Sequence, residues 1–124
     1  MSAELEAARR PLTSLLSKSE KAQQKLKPGS WQHAMLDENI QALRVVNALL
    51  FGQDRKKTRY TQSDLKLAIN ALANMVSRSI RAQAKFVPGT SPHTLQRNRI
   101  KALRLAKRTA AAELKRLKIH PKQK

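Results

Sequence analysis

Apolar side chains along this chain recur three and four residues apart, the spacing of one face of an α-helix. In the first part of the chain the recurring positions are Leu5, Ala8, Leu12, Leu15, Ser19, Ala22 and Leu26. The same spacing returns at Leu65, Ala68, Leu72, Met75, Ser79, Ala82 and Phe86. The pattern predicts a first helix from about Ala3 to Leu26, and a third helix that Thr61 or Ser63 caps.

Two further helices are predicted behind two Pro-Gly dipeptides. Ser30 is expected to cap the second helix, which ends near Phe51 with Gly52 at the C′ position. Thr90 or Ser91 is expected to cap the fourth helix, which runs from about Pro92 to Leu117. The apolar side of the fourth helix consists of Leu95, Leu103, Ala106, Ala110, Leu114 and Leu117. The third helix has apolar residues on further faces, Leu67, Ile69, Val76 and Ile80, which predicts that it is the most buried of the four.

Pro11 interrupts the pattern of the first helix. Proline lacks a backbone N–H and crowds the preceding turn, so it disfavours a helix interior. The helix is therefore expected either to begin near Arg10 or to kink near Pro11.

The chain repeats itself with an offset of 60 residues. Residues 17–44 align without a gap on residues 77–104, with 12 of 28 positions identical. Background residue frequencies give roughly 2 identities in a window of this length. The identities include both Pro-Gly dipeptides, and His33 matches His93. The chain is interpreted as a tandem duplication of a helix–corner–helix unit, with repeats at 1–60 and 61–120.

Two helical hairpins bury their apolar faces best against each other. The predicted fold is all-α: a single domain over 1–124 in which the two hairpins pack as a pseudo-twofold four-helix bundle. The aromatic content of 3% fits a core built from aliphatic side chains. The basic residues 118–124 are expected to form a frayed tail.

The net charge of the chain is the strongest indication of its function. The chain holds 26 Lys and Arg against 8 Asp and Glu, a formal net charge of +18. Residues 1–60 contain 11 basic and 6 acidic residues, and residues 61–124 contain 15 and 2. Such an imbalance is typical of a protein with a polyanionic partner, and it points to the second repeat as the contact surface.

Several classes of function find no support in the sequence. There is no Cys, which fits a reducing compartment, and the N-terminus lacks the apolar core of a signal peptide. The basic faces lack interleaved Trp or Phe, so no membrane partner is expected. A cytoplasmic location is favoured, and association with the nucleoid stays open. The sequence shows no recognisable set of nucleophile, general base and general acid. Its three His and few carboxylates do not indicate a site for a metal or another cofactor. The chain is therefore interpreted as not an enzyme.

The basic residues fall into three helical sets. A first basic row and a second basic row occupy matching positions in the two repeats, three and seven residues apart; they are Lys18, Lys21 and Lys25, and Arg78, Arg81 and Lys85. The basic stripe lies on the predicted fourth helix, opposite its apolar side, and comprises Arg97, Lys101, Arg104, Arg108 and Lys115. With no acidic neighbour along the helix before Glu113, the stripe is the strongest candidate for contact with nucleic-acid phosphates. The second basic row ranks above the first, which contains Glu20.

Additional contacts are predicted beside these sets. Arg99 is expected to join the stripe at a groove edge, with Gln96 and Asn98 as hydrogen-bonding partners for bases. The two corners are weaker candidate anion pockets because helix N-termini present unpaired N–H groups; their residues are Lys25, Ser30, His33, Thr90 and His93. A structural role for both histidines is favoured over ligand binding. Trp31 and Tyr60 are expected to pack rather than to stack on bases.

The sequence thus predicts a small basic helical protein that binds DNA or RNA, mainly through phosphates of the backbone and through its second repeat. The alternative is an adaptor or inhibitor whose basic face docks on an acidic protein that processes nucleic acids. The choice between DNA and RNA, and between monomer and homodimer, stays open at this point.

Overall fold

The computed structural model describes residues 2–52 and 60–119, and the described residues form four α-helices. The helices are α1 (Ala3–Gln24), α2 (Trp31–Phe51), α3 (Gln62–Gln83) and α4 (Ser91–Ile119). They pack as an all-α four-helix bundle, which confirms that part of the prediction. The predicted loop between the repeats, apart from its ends, and the tail from residue 120 onward lie outside the described residues.

Side-chain caps fix where three of the helices begin. Ser30 Oγ accepts a hydrogen bond from the backbone N–H of His33 at 3.2 Å, as predicted. Thr61 and Asp64 form a reciprocal capping box at the start of α3, with hydrogen bonds of 3.0 and 2.9 Å. Ser2 caps α1 by accepting from the backbone N–H of Leu5 at 3.1 Å.

The first helix continues through Pro11. It begins at Ala3, so the expectation of a start near Arg10 is wrong. Proline removes one backbone hydrogen bond. Burial of Ala8 and Leu12, one on each side of Pro11, contributes packing energy that offsets this loss.

Gly52 closes α2 in a way that the sequence does not reveal. It is the C-cap itself and has extended geometry, with φ −66° and ψ 139°, so its prediction at the C′ position is wrong. A Cβ at this position would lie 2.4 Å from the carbonyl oxygen of Ala48. Glycine is therefore required here by close backbone approach and not by positive φ.

Both Pro-Gly corners are tight turns of the same type. The backbone N–H of Ser30 donates to the carbonyl of Lys27 at 3.1 Å, and that of Thr90 donates to the carbonyl of Val87 at 3.2 Å. Gly29 and Gly89 have φ of 91° and 90°, as the third residue of a type II turn requires.

The core runs through the middle of all four helices. Its fully buried large side chains are Leu12, Ile40, Leu43, Val46, Leu65, Leu72 and Leu103. Buried alanines on α2 and α4 (Ala42, Ala102, Ala106 and Ala110) let these two helices approach each other across the bundle. Leu67, Ile80 and Leu95 are 61, 42 and 46% exposed, so the predictions that placed them among buried positions are wrong. The prediction that α3 is the most buried helix is wrong as well, because α2 has more buried residues.

Side-chain contacts link the end of α1 to α2 and the start of α1 to α4. Gln23, near the end of α1, donates to the carbonyl of His33 at the start of α2, at 3.3 Å. Glu4, at the start of α1, contacts Arg108 in the later part of α4.

Candidate nucleic-acid interface

The basic stripe lies on the outer surface of α4. All five of its side chains, Arg97, Lys101, Arg104, Arg108 and Lys115, are exposed. With a rise of about 1.5 Å per residue, Arg97 and Lys115 are about 27 Å apart along the helix axis. The stripe therefore extends along most of α4 and remains accessible to a long polyanion.

One acidic residue reaches the stripe from another helix. Arg108 Nη2 donates to Glu4 Oε2 at 2.6 Å, and both side chains are 60% exposed. The expectation that the stripe has no acidic neighbour before Glu113 therefore holds along α4 but is wrong in three dimensions. Among the described residues, no ion pair with a carboxylate is found for Arg97, Lys101 or Arg104.

Arg99 and Gln96 do not belong to this surface. Arg99 follows Arg97 by two residues, a rotation of about 200° around the helix, which takes it away from the stripe. It is half-buried, and burial lowers the pKa of its guanidinium from the ordinary value. Gln96 is also half-buried, and its Oε1 is enclosed without a hydrogen-bond partner among the described residues. Of the predicted base-reading pair, Asn98 is the exposed member.

The two basic rows border different grooves of the bundle. Arg78 follows Asp64 by 14 residues, close to four helical turns, so both lie on the side of α3 that faces α2. By the same spacing Lys18 follows Glu4, and it lies on the side of α1 that faces α4. The first basic row, which was ranked lower, is therefore the row on the side of α1 that faces α4. The second basic row does not join the stripe.

The groove between α2 and α3 is acidic. It is open, has a volume of about 360 Å³, and its lining includes the carboxylates of Asp37, Glu38 and Asp64. Sequence reasoning missed this surface, although the repeat contains its signal. At an offset of 60 residues, Asp37, Glu38 and Gln41 become Arg97, Asn98 and Lys101.

The two Pro-Gly corners differ in the hydroxyl and N–H groups that remain available to bind an anion. At the first corner Ser30 Oγ already accepts from the His33 N–H. At the second corner Thr90 Oγ1 turns the other way and donates to the carbonyl of Val87 at 2.6 Å. Pro92 contributes no N–H there, which removes one of the free donors of α4. Lys25 is exposed, and His33 and His93 are half-buried.

The two aromatic residues with polar groups take opposite environments. Tyr60 packs against the core, where burial and then the Asp64 carboxylate raise the pKa of its phenol. Trp31 is 70% exposed, so the expectation that it packs is wrong. The position of Trp31 as the first residue of α2, beyond the packed turns, explains this exposure.

The described residues contain no group of three or more His, Asp or Glu arranged to hold a metal ion. Within 2–52 and 60–119, none of the helices has an apolar stretch long enough to cross a bilayer. Comparison of the chain with protein-family models, with curated proteins and with solved structures finds no match in any of the three. The case for function therefore depends on the charged surfaces themselves.

Proposed function

We propose that this protein binds nucleic acid, DNA or RNA, through phosphate contacts along the basic stripe of α4. The observation that supports the proposal best is the alignment of five exposed Lys and Arg side chains on one side of one helix. Among the described residues, Glu4 is the acidic residue in contact with them. Exposed lysine and arginine side chains release counterions from a nucleic acid when they reach its phosphates.

The dimensions of the stripe suit such a ligand. Its length of about 27 Å approaches one turn of a DNA duplex, which is about 34–36 Å. Backbone contacts of this kind carry no base sequence information, so the binding is expected to be largely independent of sequence. No catalytic role is part of the proposal.

The structural basis of the proposal is a duplicated hairpin. We infer that the two hairpins are related by a pseudo-twofold axis that pairs α1 with α3 and α2 with α4. The matching φ angles of Gly29 and Gly89, and the matching turn hydrogen bonds of Ser30 and Thr90, support this relation. On this view Asp37, Glu38 and Gln41 of the first copy correspond to Arg97, Asn98 and Lys101 of the second, so the α2 and α4 faces differ in charge.

A salt titration tests the proposal. Fluorescence anisotropy with a labelled duplex and a labelled single strand should give affinities that fall steeply as salt rises. If the five stripe residues each neutralise one phosphate, the log–log slope for the duplex is about −4 to −5. A slope near zero for both ligands would rule out phosphate binding as the function.

Two double variants that change the net charge by the same amount test which surface binds the nucleic acid. Lys101→Glu with Arg104→Glu reverses two charges in the stripe and is expected to weaken binding by more than about 10-fold. Arg81→Glu with Lys85→Glu reverses two exposed charges in the second basic row and is expected to cost less than about 3-fold. Equal losses in the two variants would contradict the assignment to α4, because only non-specific net charge would then matter.

The alternative partner is an acidic protein that processes nucleic acids. The acidic groove between α2 and α3 is the observation on its side, because a protein partner can match surfaces of both signs. Isolation of the protein from cells discriminates the two. A nucleic acid that copurifies and is released by salt supports the first proposal, whereas a stoichiometric acidic protein supports the alternative.

A further inference from the structure

A strip of side chains follows the surface of α3 beside its core-facing positions. Its members alternate three and four residues apart, which is the spacing of a seam between two helices; they are Asp64, Leu67, Ala71, Asn74, Arg78 and Arg81. Lys85 continues the spacing just past the end of the helix. Leu67 is 61% exposed, so the strip has an apolar side chain that nothing in this chain covers. These residues are called the α3 strip below.

The acidic end of the α3 strip has carboxylates that lack an ion pair. Within 2–52 and 60–119 the chain has seven acidic residues, and four of them pair with arginines. The other three are Asp37, Glu38 and Asp64, and all of them line the groove between α2 and α3. The chain as a whole has 26 Lys and Arg. Carboxylates left together without a cation in so basic a chain indicate that their cations come from another molecule.

The opposite end of the α3 strip is the second basic row. Among the described residues, no ion pair with a carboxylate is found for Arg78, Arg81 or Lys85. Arg81 follows Asp64 by 17 residues, so the two lie about 26 Å apart along the helix axis. The unpaired charges at the two ends of the strip therefore cannot reach each other within one copy of the chain.

Read in reverse, the α3 strip is complementary to itself. When two copies of α3 lie antiparallel about a twofold axis midway between positions 72 and 73, Asp64 of each copy lies opposite Arg81 of the other. Leu67 lies opposite Arg78, whose aliphatic stem covers apolar surface while its guanidinium stays in water. The small side chain of Ala71 near the axis lets the two helices approach closely. A parallel arrangement would instead set like charges opposite each other.

We propose that two copies of this chain form a symmetric dimer by antiparallel pairing of their α3 strips. Asp37 and Glu38, which share the groove with Asp64, add carboxylates opposite Arg81 and Lys85 of the second copy. A twofold contact uses the same surface on both copies, so assembly stops at two. The strip lies on the side of α3 that faces α2. The basic stripe of α4 therefore stays free in each copy, and the dimer does not depend on the proposed nucleic-acid binding.

Sedimentation equilibrium of the full-length protein tests the proposal. The ion pairs are exposed and each copy carries a net charge of +18, so the dimer is expected to be weak. The average mass should rise from one chain toward two as the protein concentration increases from about 1 to 200 μM. A mass that stays at one chain throughout this range, or that grows beyond two chains, would overturn the proposal.

Two double variants with exposed replacements test the pairing of the charges. Asp37→Lys with Glu38→Lys makes both ends of the strip basic, and Arg81→Glu with Lys85→Glu makes both ends acidic. Each variant alone is expected to self-associate at least about 10-fold more weakly, because like charges then meet. An equimolar mixture of the two is expected to form a heterodimer, since a basic strip meets an acidic one. A mixture that stays monomeric would contradict the antiparallel pairing.

Two further double variants change the net charge by the same amounts elsewhere. Glu4→Lys with Glu6→Lys, on α1, and Lys101→Glu with Arg104→Glu, on α4, are expected to dimerise as the unmodified protein does. Losses equal to those of the α3 strip variants would show that only net charge matters, and the proposal would be wrong.

The labelled duplex keeps the two proposals separate when it spans about one turn and so engages a single stripe. The Arg81 and Lys85 double variant should lose the dimer and retain the duplex, whereas the Lys101 and Arg104 double variant should do the opposite. If the Lys101 and Arg104 variant loses the dimer as well, the α4 stripe belongs to the interface and the assignment to α3 is wrong.

Discussion

Arg108 Nη2 lies 2.6 Å from Glu4 Oε2, and this contact connects the basic stripe of α4 to the first turn of α1. Glu4 and Arg108 are separated by 104 positions in the chain. The pair is well exposed, so it contributes little to stability. Its main consequence is electrostatic, because a carboxylate sits where a phosphate would otherwise bind.

Glu4→Gln is therefore expected to strengthen binding of a labelled duplex, by about 2- to 4-fold at low salt. The variant frees Arg108 and removes a negative charge from the edge of the stripe. Anisotropy titrations at several salt concentrations measure the change.

Glu20→Gln is the matched control for this prediction. It breaks the exposed pair with Arg44 at 2.9 Å and changes the net charge by the same amount. Binding is expected to change less than in Glu4→Gln. If both variants strengthen binding equally, the effect of Glu4 is not local to the stripe.

Leu103 and Leu95 should respond differently to truncation although they lie on the same predicted face of α4. Leu103 is fully buried, and Leu103→Ala is expected to lower the free energy of unfolding by about 2–5 kcal/mol. Leu95 is 46% exposed, and Leu95→Ala is expected to cost less than about 1 kcal/mol. Urea denaturation followed by circular dichroism measures both, and similar costs would contradict the placement of Leu95 outside the core.

Tyr60 gives the stability a predictable pH dependence. Burial, and then Asp64, raises the pKa of its phenol above the ordinary value of 10.0, so the folded protein holds the phenolic proton more tightly than the unfolded chain. The free energy of unfolding should therefore fall as pH rises above about 10, and this contribution should level off above the folded pKa. An ultraviolet titration of this single tyrosine measures the shift.

Asp64→Asn tests the cause of the Tyr60 shift. Asn keeps an oxygen that can accept from the Thr61 N–H, so the capping box is largely retained. The variant should lower the pKa of Tyr60 only part of the way, because burial is the larger cause. A titration midpoint at or below the ordinary value in the unmodified protein would show that the phenol is not buried.

The sequence by itself determined the helices and the exposed side of α4. Residue spacing located all four helices, because backbone hydrogen bonding and capping are local, although the alternative start of α1 near Arg10 is wrong. Ser30, Thr61 and the two Pro-Gly turns were readable for the same reason. The stripe was readable as well, since Arg97, Lys101 and Arg104 are set on one side by helix geometry alone. The sequence prediction placed Arg99 with the stripe, although the same helix geometry places it on a different side of α4.

Only the tertiary structure decided which surfaces meet. The contact of Glu4 with Arg108 and the acidic groove between α2 and α3 both depend on which helices are neighbours. The exposure of Trp31 and Leu95 was equally hidden, since both look like core residues in a hydrophobic pattern. Periodicity specifies the direction in which a side chain points from its own helix. Whether another helix covers that direction depends on where packing places the others and where they end.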